Sequence, residues 1–147
     1  MLVSKHFLFG LIFAGFLYLI FPSIKLTGLV IVSLSSFLID ADHYIYYLYK
    51  KKDFNLRNSY RWFMKRRKRF LSLPWKQRNF FPTPLYLLHG IEVLLIFFLF
   101  GVFLSKYFLF VFTGFAFHLL LDSIIQTTYW DRISKVSLVN DYSMFKK

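Results

Sequence analysis

Long apolar runs, interrupted by one strongly basic stretch, dominate the pattern of this chain. Four of these runs approach the roughly 20 residues that an α-helix needs to cross the hydrocarbon core of a bilayer. They cover about residues 6–21, 27–49, 84–104 and 107–127. The first run follows a lone Lys5, as in a signal peptide, but no small-residue cleavage site follows it. The pattern therefore predicts an all-α integral membrane protein, with four transmembrane helices forming a bundle in a single domain, residues 1–147.

Composition supports the same class. Of 147 residues, 57% are hydrophobic and 23% are aromatic, and the mean hydropathy is +0.50. These values are too apolar for an ordinary soluble domain of this size. Cysteine is absent, so the chain offers no disulfide framework and no thiolate ligands. Any metal must therefore be bound by nitrogen and oxygen donors.

The distribution of basic residues predicts the orientation of the helices. Residues 50–83 contain twelve Lys and Arg side chains and one acid, Asp53, whereas only Lys25 and Lys106 lie in the other two connections. Cytoplasmic loops of membrane proteins carry an excess of Lys and Arg. The prediction is an N-in/C-in protein of the cytoplasmic (inner) membrane, with the basic segment in the cytoplasm.

Part of the basic segment, residues 59–73, has apolar side chains at helical spacing with basic ones between them. This pattern predicts an interfacial helix on the cytoplasmic leaflet, with Ser59 as its N-cap and Trp62 and Trp75 at the level of the head groups. Each basic residue near an anionic surface contributes about 1 kcal/mol of attraction. Anionic membrane lipids are therefore expected partners, although a loop that only enforces orientation fits equally well. No nucleic-acid-binding fold accompanies the charge, so no nucleic-acid partner is expected.

Ionisable residues also lie within or at the mouth of the apolar runs, where a charge costs roughly 2.5–3.5 kcal/mol. They are His6, Asp40, Asp42, His43, His89, Glu92, His118 and Asp122. In the predicted topology six of them fall at one depth, roughly 7–13 Å from the cytoplasmic ends of their helices, with His6 and Asp42 nearer the rim. Three pairs at i,i+3 or i,i+4 spacing share a helical face: Asp40 with His43, His89 with Glu92, and His118 with Asp122.

Histidine and carboxylate side chains are ligands of zinc-class ions, and metal sites in helical bundles are built from such pairs on facing helices. The pattern predicts a divalent metal, zinc first and manganese or iron as alternatives. The candidate ligands are His6, Asp40, Asp42, His43, His89, His118 and Asp122. Glu92 or Asp122 is the candidate general base. Two alternatives stay open: a single histidine can simply bond between helices, and Asp42 can orient a histidine ring instead of binding the metal.

The same residues resemble a known family. A histidine near the N-terminus, the motif Asp40-Ala41-Asp42-His43, a histidine at the third run and a final His-x-x-x-Asp are similar to the YdjM-like inner-membrane metal-dependent hydrolases, also described as LexA-regulated. Members usually carry Pro where this chain has Ile39, and a His-Arg pair where it has residues 79–84. The resemblance implies a metal-dependent hydrolase, without a substrate.

The sequence thus predicts a membrane-embedded hydrolase near the cytoplasmic face, acting on a lipid or membrane-associated substrate through a metal-activated water. The alternative is a non-catalytic small membrane protein that binds or transports metal, because intramembrane His and Asp also build ion pathways. The outer halves of the runs are almost wholly apolar, which favours the enzyme. Self-association is left open.

Overall fold

Seven helices make up the part of the chain that the structure, a computed structural model, describes. That part is residues 3–78, 80–82, 84, 86–129, 137–138 and 142. The helices are α1 (Val3–Ile20), α2 (Leu26–Leu38), α3 (Ala41–Lys51), α4 (Leu56–Ser72), α5 (Trp75–Arg78), α6 (Ile91–Phe103) and α7 (Tyr107–Tyr129). No strand occurs among these residues, and the predicted all-α class is confirmed.

Helix α7 is the central packing element, since it contacts α1, α2 and α6, while α2 also packs on α1. Two glycines allow this close approach. A Cβ added at Gly10 of α1 would overlap the hydroxyl of Ser36, and one added at Gly114 of α7 would overlap Ser35 and the carbonyl of Val32. The closeness of the three helices brings the polar residues near His6, Ser36 and His118 into one interior region.

Two helical stretches are long and apolar enough to cross a membrane. They are Leu26–Lys51, which joins α2 and α3, and Tyr107–Thr128 of α7. Helices α1 and α6 are shorter apolar helices, so by length the structure bears out two of the four predicted spans. The apolar helices expose much of their hydrophobic surface. Leu19 of α1, Leu26 of α2 and Phe103 of α6 are 77%, 76% and 77% exposed.

The second predicted span is interrupted at Ile39 and Asp40. In a regular helix the N–H of Asp40 would bond to the carbonyl of Ser36, but here it bonds to Phe37, with an N···O distance of 3.1 Å. The hydroxyl of Ser36 also donates to the carbonyl three residues back, at 2.8 Å, and such back-bonding tends to bend helices. The break releases the Ser36 carbonyl and places Asp40 directly before α3.

The third predicted span is wrong in its first part, because α6 begins only at Ile91. Gly90 is extended, with φ −97° and ψ 147°, and glycine is a poor helix former. The N–H of Leu88 donates to the Asp42 carboxylate at 3.0 Å. His89 therefore lies in a loop, and the predicted pairing of His89 and Glu92 on one helical face is wrong.

The predicted helix of the basic segment is present as α4, but it begins before Ser59. Its N-cap is Asn55, whose side-chain oxygen accepts the N–H groups of Arg57 at 2.9 Å and Asn58 at 3.3 Å. Ser59 is instead a buried residue within the helix. The assignment of Ser59 as N-cap is wrong because the helix begins earlier. Asn55 satisfies the first free N–H groups, and the N–H of Ser59 already makes a helical bond to the Asn55 carbonyl.

The turn between α3 and α4 is organised by Asp53, the one acid of the basic segment. Its carboxylate accepts bonds from the Tyr47 hydroxyl at 2.6 Å, the Asn55 N–H at 2.9 Å and the Asn58 side-chain amide at 2.9 Å. These donors hold the pKa of Asp53 below its ordinary value, the Tyr47 hydroxyl most strongly. The turn directs α4 back along α3, so that helix α4 reaches the site region.

Candidate metal centre

Six of the predicted site residues meet in one buried region, where α1, α3, α7 and the loop before α6 come together. They form two groups, and within each group the possible ligand atoms lie within 4.8 Å of one another. The first group is His6, His118 and Asp122, and the second is Asp40, His43 and His89. All of them except His43 are buried.

Two imidazole nitrogens and two carboxylate oxygens form the middle of this region. Nε2 of His89 lies 3.8 Å from Oδ1 of Asp40 and 3.9 Å from Oδ2 of Asp122. Nε2 of His118 lies 3.7 Å and 3.8 Å from the same two oxygens. A tetrahedral ion with bonds of about 2.0–2.2 Å separates its ligand atoms by roughly 3.3–3.6 Å. The four N···O distances are thus only slightly longer than those between the ligands of a tetrahedral ion.

Several polar atoms in this region have no hydrogen-bond partner among the described residues. They are Nε2 of His89, Nε2 of His118, Oδ2 of Asp40 and both ring nitrogens of His6. A buried polar group without a partner costs about 1–3 kcal/mol. Because these atoms belong to the residue types that bind zinc-class ions, a cation among them would remove this cost.

The other ring nitrogen of each central histidine has an acceptor. Nδ1 of His118 lies 2.6 Å from the backbone carbonyl of Ser36, which the break between α2 and α3 releases. Nδ1 of His89 lies 2.9 Å from Oδ2 of Asp42. When Nδ1 donates to such an acceptor, Nε2 carries the lone pair that a metal ligand needs. The fold therefore favours the ligand form of both rings.

Asp42 divides its buried carboxylate between two rings. Oδ1 lies 3.1 Å from Nδ1 of His43, while Oδ2 accepts from the Leu88 N–H and faces His89. The clusters of possible ligands in the described chain do not include Asp42. The carboxylate thus lies where it can orient two histidines, and its predicted role as a ligand stays a prediction.

His6 and Asp122 bring α1 to the centre. Nε2 of His6 lies 3.2 Å from Oδ1 of Asp122, and the His6 ring stacks on His118 with 3.9 Å between ring centres. The two oxygens of Asp122 therefore serve different neighbours, one towards His6 and the other towards the central histidines. This links the two groups of possible ligands.

His43 marks the side from which the centre can be reached, since its side chain is 24% exposed. Its ring stacks on Tyr86 with 4.0 Å between ring centres, and it meets the ring of Phe63 on α4 edge-on at 5.5 Å. Tyr86 is almost fully buried and also lies against His89, at 5.3 Å between ring centres. Any opening to the centre would therefore lie between α3, α4 and the loop before α6.

Glu92, a predicted general base, has both oxygens engaged by a later part of the chain. The hydroxyl of Ser137 donates to Oε1 at 2.6 Å, and the N–H of Leu138 donates to Oε2 at 3.0 Å. Within the described residues neither cluster of possible ligands includes Glu92. Glu92 thus joins the start of α6 to residues 137–138, and its catalytic role stays a prediction.

Comparison of the chain with family models, curated proteins and solved structures finds no match. The resemblance to the YdjM-like hydrolases therefore stays a prediction. Function has to be inferred from the chemistry of the buried histidines and carboxylates themselves.

Proposed function

We propose that this protein is a membrane-embedded, metal-dependent hydrolase. The observation that carries the proposal is the convergence of buried nitrogen and oxygen atoms that lack partners in the described chain. Asp40, His89 and His118 would bind the ion, and Asp122 would lie beside it as a further ligand or as the proton acceptor. His6 and His43 lie at the two ends of the cluster. Two imidazoles and two carboxylates suit zinc first, with manganese or iron as alternatives.

The membrane setting is supported by the exposed apolar surface and the two long apolar helices. Soluble monomers rarely expose apolar patches larger than a few hundred Å². The twelve basic residues of segment 50–83 favour the cytoplasmic side for α4. The opening at His43 lies against α4, which favours a centre that opens towards the cytoplasmic face.

A bound divalent ion would act as a Lewis acid and lower the pKa of a coordinated water to about 7. Asp122 is the better-placed proton acceptor, because Oδ2 lies 3.9 Å and 3.8 Å from the Nε2 atoms of the two central histidines. Glu92 is the less favoured base, since each of its oxygens already accepts a bond. Tyr86 and Phe63 cover His43 and would limit the entry of water.

The substrate class that fits this position is a lipid ester or lipid phosphate. An opening beside an amphipathic helix is reached from the membrane surface, where the head groups of lipids lie. A positively charged neighbourhood also attracts anionic lipids. A membrane-associated peptide is the next candidate, ahead of a soluble metabolite.

A non-catalytic metal-binding protein is the second candidate, because the four central donors are so well buried. Asp40 and Asp122 are 7% and 6% exposed, and His89 and His118 are 1% and 0% exposed. Structural zinc sites have a closed shell of four protein ligands, whereas catalytic sites keep one position open for water. The number of protein ligands on the bound ion therefore separates the two functions.

Turnover by zinc-loaded protein tests the proposal. Purified wild type, Asp122→Asn and Glu92→Gln would be incubated with a panel of phospholipids and lipid phosphates, with Leu120→Ala, an exposed α7 residue, as the control. We expect hydrolysis by wild type and control, and a loss of about 10²-fold or more in kcat for Asp122→Asn. Loaded wild type that is inert on the whole panel, with four protein ligands by X-ray absorption, would establish the non-catalytic function instead.

A further inference from the structure

A cleft of about 370 Å³ lies along α4, outside the metal centre. Its main lining residues are Arg66, Arg69 and Leu73 of α4, and Gln77, Phe80 and Phe81 from the chain that follows. No acidic side chain lines it among the described residues. The cleft therefore combines two guanidinium groups and an amide with aromatic rings, and nothing in its lining balances the positive charge.

The two arginines share one face of α4, because they are three residues apart. The guanidinium of Arg66 donates to the carbonyl of Pro82 and lies 4.8 Å from the ring centre of Phe81. This bond holds the group in place and uses only part of the five N–H donors that an arginine carries. Arg69 is exposed. The cleft is therefore lined by one guanidinium that is bonded to the backbone and by a second that is exposed.

We propose that this cleft binds a phosphate group, as carried by an anionic phospholipid or present as the free ion. Guanidinium groups match phosphate oxygens with paired, charge-assisted hydrogen bonds. Trp75, in the chain segment that lines the cleft, favours the lipid source, because tryptophan concentrates at membrane interfaces. Phe80 is 88% exposed, and Trp75 nearby is 44% exposed.

A second cleft on α4 provides a built-in comparison. It has a volume of about 340 Å³ and is lined by Lys51, Arg61 and Lys65, but also by Asp53. The Asp53 carboxylate offsets part of the positive charge there. The formal charge of its lining, three basic groups and one carboxylate, therefore equals that of the two arginines in the first cleft. Arg61 and Arg69 thus lie on the same helix in clefts of similar size and charge, and they differ in that Arg69 has a second guanidinium beside it whereas Arg61 does not.

The cleft contains none of the candidate metal ligands, so the phosphate site does not depend on the proposed hydrolase. The two features are nevertheless neighbours. Phe63 lies against His43 at 5.5 Å, and Arg66 follows Phe63 by about one turn of α4. A head group held at Arg66 and Arg69 would therefore lie near the side from which the metal centre opens.

Calorimetric titration of the full chain in detergent tests the site. The probes are dihexanoyl phosphatidylglycerol, inorganic phosphate, and dihexanoylglycerol, which lacks phosphate. We expect phosphatidylglycerol to bind and dihexanoylglycerol not to bind. Arg69→Gln should weaken binding about tenfold, as expected for the loss of charge-assisted bonds, and Arg61→Gln less than about twofold. Arg69→Lys, which keeps the charge, should lose less than Arg69→Gln.

Each outcome bears on the proposal. Displacement of the lipid by inorganic phosphate at similar concentration assigns the site to free phosphate, and failure to displace it assigns the site to the lipid. Equal weakening by Arg61→Gln and Arg69→Gln would overturn the proposal, because it would mean a non-specific response to charge. Equally tight binding of dihexanoylglycerol would also overturn it. Leu120→Ala, at an exposed α7 residue outside both the cleft and the metal centre, should bind phosphatidylglycerol as wild type does.

Discussion

Asp42 is placed to influence the candidate metal centre through its neighbours, because its two oxygens face ring nitrogens of His43 and His89 at 3.1 Å and 2.9 Å. Asparagine at this position would keep one acceptor and turn an amide donor towards the other ring. Partners of metal ligands typically contribute 10–100-fold in metal affinity, so we expect Asp42→Asn to weaken binding by about that factor.

A competition titration against a chelating dye measures this effect. Asp53→Asn is the matched control, since it removes the same carboxylate from the α3–α4 turn, outside the clusters of possible ligands. An Asp42→Asn protein with wild-type affinity would show that the rings do not need this carboxylate. A complete loss of binding would instead make Asp42 a ligand, as the sequence first suggested.

At the scale of the element, the contact between α2 and α7 depends on Gly114. A Cβ there would meet the carbonyl of Val32, which is backbone and cannot rotate away. Overpacking of this kind costs about 1–3 kcal/mol, so Gly114→Ala should lower the free energy of unfolding by about that amount. Gly15 has open space around it, and Gly15→Ala should be neutral or slightly stabilising, by up to about 1 kcal/mol.

Thermal unfolding of both variants in the same detergent provides the measurement. Because Gly114 packs beside the serines that precede the break, its substitution should also lower metal affinity, whereas Gly15→Ala should not. Equal stability of the two variants would contradict the packing of α2 on α7.

The α3–α4 turn should be sensitive to acid. The pKa of Asp53 is lower in the folded protein than its ordinary value of about 3.9, because the Tyr47 hydroxyl and two N–H donors favour the carboxylate. Its contribution to stability is therefore fully present above pH 4 and is lost as the pH falls through the folded pKa. Asp53→Asn should be less stable than wild type at neutral pH, and the difference in melting temperature should narrow below about pH 4. A difference that stays constant in acid would contradict this role.

The element scale also shows how far the sequence predicts this fold. Long apolar runs predict α1 and α7 well, because their length and hydrophobicity are local properties. The break at Ile39 and Asp40 is not predicted, since it depends on backbone bonds that shift by one residue and on His118 using the released Ser36 carbonyl. The loop before α6 is likewise held by Asp42, which lies far away in sequence.

The same distinction applies to the site. Spacing alone pairs His118 with Asp122, because both lie on one helix face. It does not reveal that His6 meets Asp122, or that Asp42 meets His89, since these contacts join distant parts of the chain. Tyr86 carried no signal in the sequence beyond being aromatic. The sequence pattern therefore predicts most of the residues that form the candidate site. Which of these residues contact each other could be seen only in the folded structure.

At the scale of the whole molecule, the charge distribution predicts a topology that can be measured. We expect a reporter inserted beside Asp53, and another fused after Lys147, to be cytoplasmic, because Lys and Arg are retained on that side. A reporter inserted beside Lys106, in the other class of connection, serves as the control and should be external. An external signal beside Asp53 would contradict the proposed orientation of α4 and of the opening at His43.

Elemental analysis of the purified protein tests the central claim, that the buried histidines and carboxylates bind a divalent ion. Wild type and Leu120→Ala should carry about one zinc-class ion or more per chain, whereas Asp40→Ala and His118→Ala should lose most of it and still insert into the membrane. Occupancy of the wild type should also fall in acid, because protons compete with the metal for the imidazole nitrogens. Folded wild type that stays metal-free after loading with zinc, or full metal content in both ligand variants, would contradict the claim.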